Sequence, residues 1–274
     1  SRHYANLQKL GYRDIVTWDS NPLRRSIPTI SIFWAHKPEV LFICTPPEAH
    51  IVYGLEAVEN GVKGLFIEKP LSDRVGLSEE FLIQRVKRQS IITMVGCQWR
   101  WAKPIQSMYR GEGHQLYLRA YIPIAKKSNP IFDAGIHLVD LACWFFGPGQ
   151  RTVYEDVPSR RKEKNLIYQV SKNSLDMQLF HPNAGISYIE ARTDGRPYLF
   201  EVELKTDNPH TKITETIEKW SWNGKDSRWP WGFKRNQMYL DETQHFMHCV
   251  EVGGETGNDL VRAANTLELA LGGS

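Results

Sequence analysis

The stretch Leu65-Phe66-Ile67-Glu68-Lys69-Pro70-Leu71 decides the fold prediction. Its apolar residues have the length and composition of a buried β-strand, and the proline ends that strand because it cannot donate a ladder hydrogen bond. Glu68 and Lys69 are therefore predicted at the carboxyl end of a strand, where open α/β sheets bind their ligands. A lysine at such a place is also often a solvated surface charge paired with a neighbouring carboxylate, so the position alone leaves both interpretations open.

A second apolar run, Val40-Leu41-Phe42-Ile43-Cys44, precedes this stretch and is typical of a strand covered on both faces. Between the two runs, Thr45-Pro46-Pro47-Glu48 predicts a turn and a helix start, with Thr45 as the N-cap. Strand, helix and strand form a βαβ unit with a right-handed crossover. A helix over 77–89 and a strand over 91–96 continue the alternation, which predicts a doubly wound parallel sheet.

The first residues match only part of a dinucleotide-binding unit. A short helix is followed by a predicted strand over 14–18 and by Asp19, which is the order of the later parts of such a unit. The opening strand and its Gly-x-Gly-x-x-Gly turn are absent from the sequence and are expected to precede Ser1. Asp19 would then bind the ribose and favour NAD, whereas Arg24 and Arg25 keep NADP open. An acid after a strand is also common without any such role.

After residue 101 the sequence becomes rich in strands of period 2, which predicts a large, mostly antiparallel open sheet. The predicted strands are 115–122, 174–180, 185–190 and 198–205, and the predicted helices are 133–146, 236–252 and 258–271. We therefore predict a dinucleotide-binding domain over 1–101 and a second α/β domain over 102–274, whose last helices pack back on the body of the protein.

Asp133 and His137 are the strongest catalytic candidates of the second domain. They are four residues apart, so a helix presents both from one face. A carboxylate beside an imidazole sets its tautomer and raises its basicity, as a general base requires. The structural alternative is an aspartate at a helix start followed by a core histidine.

Other residues near the predicted strand ends are weaker candidates for binding a cofactor or a substrate. Thr45, Pro46 and His50 lie in the turn that should line a cofactor, although for His50 a place on the helix surface is favoured over a direct contact. Gln98 and Arg100 follow a strand and could reach a substrate, with a surface arginine as the alternative. Aromatic faces can stack on sugars, but large aromatics also dominate cores and interfaces, the interpretation we prefer for Trp220, Trp222, Trp229 and Trp231.

Composition argues against several classes of protein. The 274 residues carry a net charge of +3 without any block of like charge, so nucleic-acid or membrane-surface binding has no support. The four cysteines are far apart and no histidines cluster at zinc spacing, so we expect neither disulfides nor a metal site. No apolar run is long enough to span a bilayer. These features predict a cytoplasmic protein with reduced thiols.

Taken in order, the motifs resemble the Gfo/Idh/MocA family, named for glucose-fructose oxidoreductase, inositol dehydrogenase and rhizopine catabolism. The resemblance rests on the Glu-Lys-Pro stretch, on residues 41–50 before it, and on Asp133-Ala134-Gly135-Ile136-His137-Leu138-Val139-Asp140 after it. The closing helices add to it, so that it spans nearly the whole chain.

The resemblance implies a Rossmann domain that binds NAD or NADP and a second domain that covers the substrate and often forms the oligomer interface of a homodimer or homotetramer. The implied reaction is hydride transfer between nicotinamide and a carbinol carbon of a sugar, sugar nucleotide or cyclitol. Lys69 would bind near the nicotinamide and the reacting hydroxyl, with His137 as acid/base beside Asp133. Two alternatives stay open: a dinucleotide-binding regulator without turnover, and a relative that uses nicotinamide transiently to cleave or epimerise a glycoside.

Overall fold

The computed structural model describes residues 2–108, 115–123, 129–151, 168–171, 173–182, 185–194, 197–207, 215–222 and 235–271. Contacts divide the chain into two compact units, one of Ser1–Gln98 with Asn236–Ala264 and one of Trp99–Arg235 with Asn265–Ser274. This division differs from the predicted one. The first boundary lies between residues 98 and 99 instead of between 101 and 102. Residues 236–264 belong with the first unit because their helix packs on its sheet.

The first unit contains a parallel three-stranded sheet in the order β1-β2-β3, as predicted. Its strands are β1 (Val40–Ile43), β2 (Gly64–Glu68) and β3 (Ile92–Gly96). Its helices are α1 (Arg2–Lys9), α2 (Ile30–Ala35), α3 (His50–Glu59), α4 (Leu77–Arg88) and α7 (Arg235–Val252), with 3-10 turns at Pro22–Arg24, Pro47–Ala49 and Gln98–Trp101. The predicted α/β class with a parallel sheet is confirmed.

The core of the first unit forms around β2. Leu65, Phe66 and Ile67 are completely buried, which explains why this strand is apolar at every position. The ring of Phe246 from α7 meets the ring of Phe66 edge-on, at a centroid distance of 5.5 Å. A side chain at Gly64 would meet α7 as well, because an added Cβ would lie 2.6 Å from Cγ2 of Val250. Glycine therefore lets α7 approach the sheet closely.

The predicted strand over 14–18 is wrong, because these residues are irregular. None of the described strands pairs with this segment. Its backbone is instead bonded within a loop: the Thr17 N–H donates to Oγ of Ser26 at 2.8 Å, and the Ser26 N–H donates to the Thr17 carbonyl at 2.9 Å. An extended segment becomes a strand only when another edge pairs with it.

The second unit contains a seven-stranded sheet in the order β10-β9-β4-β8-β7-β5, with β6 also paired to β7. Of the described strand pairs, β4 and β8 run parallel and the others antiparallel, which confirms the mostly antiparallel sheet. The strands are β4 (Gln115–Tyr121), β5 (Gln150–Arg151), β6 (Tyr168–Ser171), β7 (Ser174–Phe180), β8 (Ile186–Arg192), β9 (Leu199–Asp207) and β10 (Glu215–Trp222).

One face of this sheet is covered and the other is partly open. In β4, Leu116, Leu118 and Ala120 are buried, and α6 (Ile136–Phe146) packs against β4 and β8. The alternate residues are polar or aromatic: Tyr117 stacks on Tyr188 with ring centroids 4.7 Å apart. The remaining helices are α5 (Lys103–Ser107) and α8 (Leu260–Leu271), which contributes residues to both units.

Only two of the four tryptophans considered in the sequence analysis lie in the described part of the chain. Trp220 and Trp222 lie in β10, whereas Trp229 and Trp231 lie outside the described residues. None of the described helices is long and apolar enough to cross a membrane.

Candidate functional site

The carboxyl ends of the three parallel strands bring several predicted residues together in the first unit. Ile43 of β1 pairs with Ile67 of β2, and Glu68 of β2 pairs with Gly96 of β3. The segments that leave these strands therefore start side by side. They carry the predicted residues Thr45, Pro46, Glu68, Lys69 and Gln98, of which Gln98 is buried.

Glu68 is held by a histidine that the sequence analysis did not select. Nε2 of His3 lies 2.8 Å from Oε1 of Glu68, and the Lys69 backbone N–H donates to Oε2 at 3.3 Å. Burial by itself would raise the pKa of Glu68. The hydrogen bond and charge of His3, with the charge and backbone N–H of Lys69, outweigh burial and lower the pKa of Glu68 below its ordinary value. The carboxylate is thus kept ionised beside Lys69.

His3 lies on α1 with only 3% of its surface exposed. The buried positions of this helix are His3, Asn6 and Leu7, spaced as one helical face. Two polar residues on a buried stripe were the signal in the sequence. That signal does not name a partner, because Glu68 is 65 residues away along the chain.

The His50 side chain contacts both the turn after β1 and the turn after β2. Its ring is completely buried, with Nδ1 2.8 Å from the Pro70 carbonyl oxygen and Nε2 2.8 Å from that of Thr45. A ring without exposed surface is not accessible to a ligand. The burial therefore favours a positioning role over the predicted contact of His50 with a cofactor. The peptide bond between Lys69 and Pro70 is cis.

Thr45 does not cap a helix, which corrects the sequence prediction. The 3-10 turn that starts at Pro47 has Pro46 at its cap position, without a side-chain hydrogen bond. The buried Thr45 hydroxyl has no hydrogen-bond partner among the described residues. A buried polar atom without a partner calls for an explanation, and one explanation is a ligand that supplies the missing bond.

Asp19 lies in the irregular segment before α2. Its carboxylate accepts a hydrogen bond from the backbone N–H of Asn21 at 2.8 Å, as in an Asx turn. Because the predicted strand before it is absent, the strand-end geometry proposed for ribose binding is not observed. Ribose binding by Asp19 stays a prediction.

In the second unit, Asp133 and His137 lie on consecutive turns of one helical segment. Asp133 belongs to a π-helical turn, Ile131–Gly135, that runs directly into α6. Its Oδ2 accepts from the Asn129 backbone N–H at 2.7 Å, and His137 is buried. Single π-helical turns inside helices frequently mark functional sites. The sequence predicted an ordinary helix here, because a π turn has no simple pattern.

Arg100 is buried and bound to an acid of α6. Its Nε donates to Oδ2 of Asp140 at 2.7 Å, and its Nη2 donates to Oδ1 at 2.5 Å. This two-bond geometry favours a structural role for Arg100, and its contact with substrate stays a prediction. Since Asp140 is three residues after His137, the ion pair anchors the same helix that carries His137.

Comparison with known proteins finds matches in structure but not in sequence. No protein-family model matches the chain, and no curated protein matches it. Solved structures, in contrast, do match the chain. UDP-N-acetylglucosamine 3-dehydrogenase from Acidithiobacillus ferrooxidans has 15% identity and a TM-score of 0.74, over 98% of this chain and 92% of that one. Myo-inositol 2-dehydrogenase from Lactobacillus plantarum has 16% identity and a TM-score of 0.74, over 98% and 91%. The chain shares the fold of these two solved structures.

A third structure with a similar fold was solved with a cofactor. It is an oxidoreductase from Agrobacterium radiobacter in complex with NAD+, L-tartaric acid and magnesium, with 16% identity and a TM-score of 0.59 over 85% of this chain and 76% of that one. At such identities the likeness establishes the fold and leaves the activity to be argued from the residues.

The residues at the carboxyl ends of the three parallel strands have the chemistry that part of a dinucleotide requires. The buried Thr45 hydroxyl, the exposed Pro46 and the cation of Lys69 together offer a donor, an apolar surface and a positive charge at the ligand edge of the sheet. No Gly-x-Gly-x-x-Gly turn for the diphosphate occurs in the sequence.

Proposed function

We propose that this protein is an NAD(P)-dependent oxidoreductase that transfers hydride between nicotinamide and a carbinol carbon of a sugar, sugar nucleotide or cyclitol. The observation that carries the proposal is Lys69 beside an ionised, half-buried Glu68 at the carboxyl end of β2. In an open parallel sheet this edge is the ligand edge, which supports a role for Lys69 toward substrate.

The proposed chemistry gives a separate role to each of the predicted residues. Nicotinamide, when bound, supplies the hydride acceptor or donor. Lys69 donates a hydrogen bond to the reacting hydroxyl oxygen and stabilises negative charge as it develops there. His137 removes the hydroxyl proton during oxidation and returns it during reduction, because hydride leaves the carbon only as that proton leaves the oxygen. The proposed role of Asp133 is to fix the start of the helical segment that carries His137.

The oligomer is a further part of the proposal. The partly open face of the seven-stranded sheet carries Tyr117, Tyr188, Arg119 and Glu201, with Nη1 of Arg119 2.6 Å from Oε1 of Glu201. Stacked tyrosines and arginine are enriched at protein interfaces. We propose that this face pairs with a second copy in a homodimer or homotetramer, in the cytoplasm.

Turnover by the full-length protein tests the function. NADH or NADPH formation is measured with myo-inositol, UDP-N-acetylglucosamine and a panel of other sugars. Lys69→Ala should lower kcat by about 100- to 1,000-fold while the circular dichroism spectrum stays unchanged. Lys63→Ala is the matched control, since Lys63 lies in the same unit and forms an exposed ion pair with Glu39.

The outcomes separate the alternatives. Unchanged turnover in Lys69→Ala would contradict the proposal. Tight binding of NADH without reduction or oxidation of any compound would favour a regulator. Release of a cleaved or epimerised glycoside without net NADH would favour transient use of the nicotinamide.

A further inference from the structure

A residue outside the predicted site caps the helical segment that carries His137. The residue just before the π turn, Pro130, already has helical backbone angles, with φ −58° and ψ −31°. The capping position therefore belongs to Asn129. Its side-chain Oδ1 accepts from the Ile131 N–H at 2.8 Å, which is the bond that an N-cap residue makes to the first turn of a helix.

Asn129 and Asp133 bind each other in both directions. The Asn129 N–H donates to Oδ2 of Asp133 at 2.7 Å, and the Asp133 N–H donates to the Asn129 carbonyl oxygen at 2.8 Å. A cap side chain that binds the first turn, with an acid that reaches back to the backbone of the cap, forms a capping box. The ordinary box has its acid three residues after the cap, whereas Asp133 follows Asn129 by four. This box therefore contains one additional residue.

The π turn has the same additional residue in its hydrogen bonds. The Ile136 N–H donates to the Ile131 carbonyl oxygen, five residues back, where an α-helix would use the carbonyl four residues back. Successive residues of an α-helix are rotated by about 100° around its axis. A one-residue change of register would therefore rotate Asp133 by about 100° around the axis relative to His137.

The end of the π turn is fixed by packing against β7. An added Cβ at Gly135 would lie 2.5 Å from Cδ2 of Leu175 and 3.1 Å from the Pro130 carbonyl oxygen. A π turn is rare among helical turns, so contacts beyond its own ladder are needed to hold it. The close packing of Gly135 supplies such a contact at the end of the turn, and the box of Asn129 supplies one at its start.

We propose that Asn129 is a positioning residue, whose box with Asp133 holds the π register and so sets the geometry between Asp133 and His137. The inference rests on the proposed function of these two residues and extends it to a residue that the sequence analysis did not select. Asn129 acts through the helical segment, without touching the reacting atoms.

Hydrogen exchange tests the box in the full-length protein, without cofactor or substrate. NMR should show the Asn129 and Ile131 amides exchanging about 3- to 10-fold more slowly than in an unstructured chain, the protection that one net hydrogen bond gives. In Asn129→Ala, both amides should lose this protection, because the box opens as a whole. Asn129→Ser keeps a cap acceptor and should keep both amides protected. Wild-type protection of both amides in Asn129→Ala would overturn the proposal.

Couplings across hydrogen bonds test the register in the same samples. In wild type, the Ile136 amide nitrogen should couple to the carbonyl carbon of Ile131. In Asn129→Ala it should couple to the carbonyl carbon of Phe132, four residues back, as in an ordinary α-helix. A coupling that stays with Ile131 in Asn129→Ala would show that the box does not hold the register, and would overturn the proposal.

Turnover tests the role in the reaction. Asn129→Ala should lower kcat about 10- to 100-fold while the KM for the sugar changes little, the pattern of misplaced reacting groups. Asn129→Ser should recover most of that loss. Thr29→Ala is the matched control and should keep the wild-type kcat, because Thr29 caps α2 of the first unit by the same kind of bond, from the Ile32 N–H to its Oγ1 at 3.3 Å. An equal loss of kcat in Thr29→Ala would reduce the effect to lost stability and overturn the proposal.

The box and the reaction are judged separately. A changed register in Asn129→Ala with unchanged kcat would overturn the role of Asn129 in the reaction. If wild-type protein shows no nicotinamide-dependent turnover, the proposed function fails, whereas the exchange and coupling measurements still decide whether Asn129 holds the π register.

Discussion

At the scale of single residues, Glu68 shows how surroundings set a charge. Burial alone would raise its pKa, yet the pKa is lowered because His3 and Lys69 both stabilise the ionised form. A carboxyl group whose pKa is lower in the folded than in the unfolded protein stabilises the fold only while it is ionised. The cluster around Glu68 is therefore sensitive to acid.

The pH dependence of stability tests this effect. The contribution of Glu68 should be complete above its ordinary unfolded pKa of about 4.3 and should be lost as the pH falls through its lower folded pKa. Urea unfolding of wild type and Glu68→Gln, from neutral pH to about pH 3, should show a stability difference that shrinks toward acid. Glu39→Gln, in a surface pair with Lys63, should show almost no such change. A constant difference between wild type and Glu68→Gln would contradict the assignment.

The sequence identified candidate residues by type and spacing better than it identified their partners. Glu68 and Lys69 were found because a proline marks the end of their strand. His3 and the burial of His50 were not found, because both depend on chain segments that meet only in the folded unit. Thr45 was predicted as a cap from its residue type, but the two prolines after it start the turn without its hydroxyl.

At the scale of elements, the contact between β2 and α7 holds the first unit together. Phe66 of β2 and Phe246 of α7 are both completely buried. Gly64 leaves room for Val250 of the same helix, with only 2.6 Å between an added Cβ and Cγ2 of Val250 and 3.3 Å to the Phe246 ring. An overpacked contact of this kind typically costs about 1–3 kcal/mol.

A substitution at Gly64 tests this packing. Gly64→Ala should lower the free energy of unfolding by about 1–3 kcal/mol, measured by urea denaturation. Val250→Ala in the same chain removes the colliding methyl groups and should recover part of that loss. The two substitutions should therefore be non-additive. Strictly additive effects would show that α7 does not restrict this position.

Elements with a strong internal pattern were predicted well, and those defined by a neighbour were not. The apolar runs of β1 and β2 and the alternating run of β4 carry their own evidence of burial. The segment 14–18 looks like a strand in composition but pairs with none of the described strands. Single-sequence patterns report which residues can be buried, whereas pairing is decided by the rest of the sheet.

At the scale of the whole molecule, a bound dinucleotide should stabilise the protein against heat. A ligand that binds the folded state at 100 times its Kd adds about 2.7 kcal/mol. If Asp19 binds the ribose, NAD+ should raise Tm more than NADP+ does, and Asp19→Asn should reduce that preference. The measurement is thermal unfolding of the full-length protein at matched concentrations of the two cofactors. Equal shifts for both in wild type would contradict a ribose-binding role for Asp19.

The division of the chain has a consequence for how the protein is made. The first unit uses residues up to Gln98 and then Asn236–Ala264, so its core is not complete until α7 has been synthesised. At about 5–20 residues per second, roughly 7 to 30 s pass between translation of Gln98 and of Phe246, which covers Phe66. During that interval Phe42 and Phe66 lack the cover that Phe246 of α7 gives them in the complete unit. Chaperones that bind exposed apolar surface on nascent chains would meet this protein there.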